Sequence, residues 1–151
     1  MMKSGIKVVG LVTLKVINEK GLVHKTVKKN LVGNYGTSLM AAYLANVGDP
    51  LPIQYIAVGD GDLAPAVTDT ALGNELYRAI ASVSQGIGAE ANQVEFQSTW
   101  LAGASQGTIK EAGLFDAAAV GNMFSRVTFA DVIVGAADTL IVTWDISFIG
   151  V

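Results

Sequence analysis

Leu140-Ile141-Val142-Thr143-Trp144-Asp145-Ile146-Ser147-Phe148 carries the clearest strand pattern in the chain. Leu140, Val142, Trp144 and Ile146 alternate with Ile141, Thr143, Asp145 and Ser147, the period of two of a strand that buries one face. Val94, Phe96, Ser98 and Trp100 alternate with Glu95, Gln97 and Thr99 in the same way. Further strands read at Val8–Ile17, Leu22–Lys29, Ile53–Val58, Tyr77–Ser84, Thr108–Phe115 and Met123–Phe129, with Gly- and Ala-rich turns between the later ones. The segment at about residues 35–46 changes period: Leu39 and Tyr43, then Met40 and Leu44, stand four apart. A helix is expected there, capped by Thr37 or Ser38 and stopped by Gly48, Asp49 and Pro50. The long connection 59–75 carries Pro65, Thr68, Asp69 and Thr70, with one helical turn expected near Leu72. The expected fold is mainly β: an antiparallel sandwich or small barrel with one packed helix and an N-terminal hairpin. The expected core includes Leu39, Leu44, Trp100, Leu114, Phe115, Phe129 and Trp144.

The 151 residues fit one domain, read as a basic hairpin or arm over 1–29 and a β-rich body over 30–151. Hydrophobic residues make up 51% and charged residues 15%, against a usual charged share of about 25%, which excludes disorder of the whole. A surface so poor in charge implies burial against another chain, hence an oligomer or assembly component. No apolar run approaches the roughly 18 residues of a membrane-spanning helix. Lys7 and Lys15 break the N-terminal apolar run, so no secretory signal is expected. The lack of cysteine removes disulfides, thiolate metal sites and cysteine nucleophiles.

Charge is unevenly placed. Residues 1–29 hold Lys3, Lys7, Lys15, Lys20, Lys25, Lys28 and Lys29 against Glu19 alone, a balance of +6 that leaves −9 for the rest of a chain whose total is −3. The total argues against nucleic-acid binding through a globally basic surface. Lys3, Lys7, Lys15, Lys25, Lys28 and Lys29 are candidate interface residues for an acidic neighbour; equally, such lysines can simply guard exposed strands from edge-to-edge pairing.

Several motifs invite chemistry and are explained without it. Gly59-Asp60-Gly61-Asp62-Leu63-Ala64 and Gly86-Ile87-Gly88-Ala89-Glu90-Ala91 match dinucleotide-loop spacing, but Pro65 and Asn92 stand where the required helix should run. Asp60, Asp62 and Asp69 carry oxygens suited to calcium, yet the twelve-residue loop is absent and turn formation explains them. Gly103-Ala104-Ser105-Gln106-Gly107 spells a nucleophile elbow, but a strand follows it, and the lone histidine, His24, lies upstream; a flexible hairpin loop is expected. Glu111 and Asp116 flank an apolar run and read as structural. The tyrosines at 35, 43, 55 and 77 are too scattered for a stacking platform. No catalytic set, metal or cofactor is expected.

Three blocks carry a resemblance. Asn30-Leu31-Val32-Gly33-Asn34-Tyr35-Gly36 leads into the helix; Ile56-Ala57-Val58-Gly59-Asp60-Gly61 continues to Ala64-Pro65, Thr68-Asp69-Thr70-Ala71-Leu72 and Glu75; Gly107-Thr108-Ile109-Lys110-Glu111-Ala112-Gly113-Leu114-Phe115-Asp116 closes the set. Together they resemble small structural proteins of tailed-bacteriophage particles, with a β-rich domain of capsid-decoration, tail-fibre or collar type. The resemblance implies a non-enzymatic virion component made in the host bacterial cytoplasm. Accessory decoration, or cement, of the capsid is preferred, because no fibre repeat or receptor-binding domain follows Leu140–Phe148. A tail-fibre, collar or baseplate attachment role and a glycan-binding module are the alternatives. Expected partners are further copies of the chain, a trimer being favoured, and the major capsid protein or tail proteins, with neither nucleic acid nor membrane.

Overall fold

The computed structural model describes residues 4–151; Lys3, one of the candidate interface lysines, lies outside them. The strands are β1 (Ile6–Asn18), β2 (Gly21–Lys29), β3 (Leu31–Val32), β4 (Tyr55–Gly59), β5 (Glu75–Ile80), β6 (Ser82–Gln85), β7 (Gln93–Trp100), β8 (Gly107–Phe115), β9 (Met123–Val134) and β10 (Thr139–Gly150). One helix, α1, spans Asn34–Ala45, and a 3-10 turn spans Gly88–Glu90. The strands form two five-stranded antiparallel sheets, ordered β2-β1-β10-β7-β6 (sheet A) and β3-β9-β8-β4-β5 (sheet B). This is a sandwich, and neither sheet closes into a barrel.

The alternation read from the sequence sets the inner faces. Leu140, Val142, Trp144 and Ile146 of β10 are buried, and so are Val12, Leu14 and Val16 of the neighbouring β1. From sheet B, Ile56, Val58, Ile109, Ala112, Leu114 and Val127 meet them in one apolar core. Trp100, Phe129 and Leu39 are also buried there.

Phe115 is buried on the other side of sheet B, in a small cluster with Ala57, Leu72 and Met123 under the 60–74 connection, and the Arg78 guanidinium lies 3.8 Å from its ring centroid. Leu72 is thus a buried anchor, with no helical turn around it.

Leu44 corrects the expected core, for it is 89% exposed. The helix touches the body through a narrow strip containing Gly36 and Leu39, and at about 100° per residue Leu44 points roughly 140° away from Leu39. Gly36 is required by this contact, since a Cβ there would lie 2.4 Å from the Phe124 carbonyl oxygen on β9. The N-cap is Gly33, not Thr37 or Ser38; the Thr37 hydroxyl instead donates to the Asn34 carbonyl at 3.0 Å. The helix stops at Asn46, which adopts a left-handed conformation (φ 51°) before Gly48 and Pro50 are reached.

Three other expectations change. The strand expected at Tyr77–Ser84 is two strands, β5 in sheet B and β6 in sheet A, hinged at buried Ala81. The loop containing Ser105 likewise passes from sheet A to sheet B instead of closing a hairpin, and Ser105 is fully buried. The N-terminal hairpin is built into the body: β2 is an edge, but β1 lies inside sheet A and pairs β10 from Ile6↔Gly150 to Ile17↔Thr139.

Candidate functional site

The motif blocks converge on the outer face of sheet B. Strand alternation turns Ala112 and Leu114 inward and leaves Glu111 on the opposite side, where the 60–74 connection covers it completely. Its Oε1 accepts from the backbone N–H of Gly61 (3.0 Å) and Asn74 (2.8 Å); its Oε2 accepts from the N–H of Gly73 (2.9 Å) and from Arg126 Nε (3.0 Å). Arg126 Nη2 also sits 2.8 Å from Oε2, out of line for a hydrogen bond, and Nη1 donates to Asp69 Oδ2 at 2.8 Å.

A carboxylate from β8 and a guanidinium from β9 therefore tie both ends of the connection to the sheet. The glycines of the dinucleotide-like motif serve this knot. A Cβ on Gly61 would lie 2.4 Å from Glu111 Oε1, and one on Gly59 would lie 2.1 Å from the Asn74 carbonyl oxygen.

The charges in the knot stabilise one another. The Ala66 N–H holds the Asp69 carboxyl below its usual range, aided against the opposing effect of burial by Arg126. Burial disfavours the Arg126 cation, but its bonds to Glu111 and Asp69 outweigh this and raise its affinity for the proton. Asp116 works similarly in the 116–122 loop: burial opposes its charge, but the Asn122 backbone and side-chain N–H groups and the Tyr35 hydroxyl (3.0 Å) outweigh it and lower its pKa.

The calcium grouping does not assemble. Asp69 faces Arg126, Asp60 accepts from Asn74 Nδ2 at 2.6 Å, and no set of three ligating side chains occurs among the described residues. His24 bonds Thr26 Oγ1 at 2.7 Å on the edge strand β2. Tyr35, Tyr43 and Tyr77 each bond within the chain, to Asp116, the Leu51 carbonyl and the Gln106 carbonyl.

The candidate interface lysines are split by strand alternation. Lys7, Lys15, Lys25 and Lys29 share the outer face of sheet A, whereas Lys28, opposite Val12, faces the other way. Lys15 lies directly across from Lys25, and no ion pair neutralises any of these five among the described residues. Farther along the same face Asp145 is opposite Glu95. Burial and then repulsion from Glu95 push the Asp145 carboxyl upward. The outer face of sheet A thus runs from uncompensated positive charge at β2 to uncompensated negative charge at β7.

A second feature adjoins the lysines. Between α1 and the ends of β1 and β10, Ile6, Val8, Met40, Ala41, Leu44 and Phe148 help line an apolar groove of about 540 Å³. A smaller apolar hollow of about 300 Å³ continues past Met40, Tyr43 and Phe148 toward Val83 and Phe96. No described helix is long and apolar enough to cross a membrane.

Sequence reasoning missed Arg126 and the groove. The signal for Arg126 was a lone charge inside the apolar run Met123–Phe129; the groove had none, because it exists only where separate elements meet. Comparison with known protein families, with curated proteins and with solved structures returns no match.

Proposed function

We propose that this chain is a non-enzymatic structural protein of a tailed-bacteriophage particle, an accessory decoration protein that stabilises the capsid by bridging its subunits. The observation that carries the reading is the unpaired apolar surface around α1: Leu44 is 89% exposed and Ile6 71%, both on the rim of a groove with almost no polar lining. Isolated apolar residues are ordinary on a surface, but a contiguous set beside a cleft marks a surface built to be covered. The polar groups in the motif blocks support the same reading, because Glu111, Asp69 and Asp116, with Arg126 from β9, spend their hydrogen-bonding capacity on holding loops in place.

Bound only to the assembled shell, such a protein stabilises it by mass action. The phage setting and the trimer rest on the resemblance of the three sequence blocks. The test is the copy number of this chain relative to the major shell protein in purified particles. Hundreds of copies support decoration; a few dozen or fewer place it in the tail or its fibres; absence from particles refutes the virion role.

A further inference from the structure

We propose that the open edge of β1 at Ile6–Val8 takes up an extended segment of a partner protein in which apolar residues alternate with acidic ones. The backbone direction carries the first step. Gly5 and Val151 exchange reciprocal N–H to carbonyl bonds of 2.9 Å, so the peptide groups of Gly5 face β10. Antiparallel alternation then turns Lys7 and Val9 toward β10, and Ile6, Val8 and Gly10 toward the opposite edge.

On that edge β2 covers β1 only from Leu11, opposite Lys29, onward. The chain leaves at Asn30, whose N–H donates to the Gly10 carbonyl at 3.1 Å, and turns away to sheet B. Ile6 and Val8 therefore present N–H and C=O groups that no strand pairs among the described residues. Such a row is a template for an added strand.

The two faces of this edge differ in chemistry. Val8 on the inner face lines the 540 Å³ apolar groove with Met40, Leu44 and Phe148. A smaller depression of about 190 Å³ with mixed polar and apolar walls is lined by Lys7, Val8, Val9, Gly10, Lys29 and Asn30, so the two meet at Val8. The side-chain amide of Asn30 is buried with neither its nitrogen nor its oxygen partnered.

A strand laid along Ile6–Val8 would send alternate side chains into the groove and toward Lys7 and Lys29. Charge then selects the occupant. A second copy pairing through the same edge would bring this lysine cluster against itself, whereas acidic residues on the lysine side would neutralise it. The inference goes beyond the proposed virion role and holds whatever assembly contains the partner.

The experiment uses the full ¹⁵N-labelled chain and two synthetic peptides of about four repeats, one alternating Val with Glu and one alternating Val with Lys. The acidic peptide is expected to bind, to protect the amides of Ile6 and Val8 from exchange, and to weaken with salt; the basic one should bind at least roughly tenfold more weakly. Val8→Pro removes one donor on the open edge and should abolish binding, since proline is tolerated at sheet edges but cannot pair there. Should that variant unfold, the double variant Lys7→Glu, Lys29→Glu carries the test and should reverse the preference toward the basic peptide. No binding by the wild-type chain, equal binding of both peptides, or protection elsewhere overturns the proposal. So does a peptide-free dimer that Val8→Pro dissociates. Copy number in particles is measured separately, so failure of either result is attributable to its own claim.

Discussion

Replacing Glu111 with Gln keeps the shape of the side chain and removes its charge, and the cost follows from the bonds already described. All four accepting positions are used, two per oxygen. Glutamine can satisfy only two of those donors. Whichever way it is turned, its NH₂ faces either the Gly61 and Asn74 N–H groups or Gly73 N–H and Arg126 Nε–H. Two unsatisfied buried donors cost about 1–3 kcal/mol each, and removing one partner of a buried ion pair costs about 3–5 kcal/mol. These ranges describe the same loss, so Glu111→Gln is expected to destabilise the domain by about 3–5 kcal/mol.

Total stabilities of about 5–15 kcal/mol make this a large fraction. At about 2–4 °C per kcal/mol for a chain of this size, Tm should fall by roughly 6–20 °C. The assay is urea and thermal unfolding followed by circular dichroism, with hydrogen exchange to show whether protection is lost first at Gly61, Gly73 and Asn74. Arg126→Met should be destabilising in its own right, and combined with Glu111→Gln the loss should be clearly less than additive. A Tm drop for Glu111→Gln of less than about 2 °C, or additive losses in the pair, would mean that Glu111 and Arg126 do not form a buried, mutually dependent pair.

Asp145→Asn should raise stability at neutral pH by about 0.2–1 kcal/mol, because it removes a like charge directly opposite Glu95. Since the Asp145 pKa is raised in the folded state, the wild-type penalty exists above that folded pKa, and the gain should vanish on acidification below the usual carboxylate value of 3.8. Asp69 and Asp116 have the opposite sign: their depressed folded pKa values contribute stability that is present above 3.8 and lost as pH falls through the folded values. Acid unfolding measured below that pH should therefore shift upward in pH for Asp116→Asn, with stability at neutral pH already reduced. Leu44→Lys should leave the stability of the isolated chain within about 0.5 kcal/mol, whereas Leu39→Ala should cost about 2–5 kcal/mol; equal melting curves for the two would contradict their placement.

Most of the strands, and the inward face of the longest of them, are legible in the sequence, because alternation of apolar and polar side chains is a local property read along one chain. Leu140 to Ile146 and Val94 to Trp100 were legible for that reason, as was the helix between Gly33 and Pro50, whose apolar spacing departs from two. Which strands are neighbours was decided only in the tertiary structure. Backbone hydrogen bonds between strands carry no sequence label, so the place of β1 inside sheet A, the corner at Ala81 and the open edge at Ile6–Val8 had no local signature. The same holds for Leu44, whose exposure depends on how narrowly α1 touches β9. Glu111 shows the division most plainly: the sequence placed it on a β-strand, and only the folding of the 60–74 connection over that strand enclosed its charge among four donors.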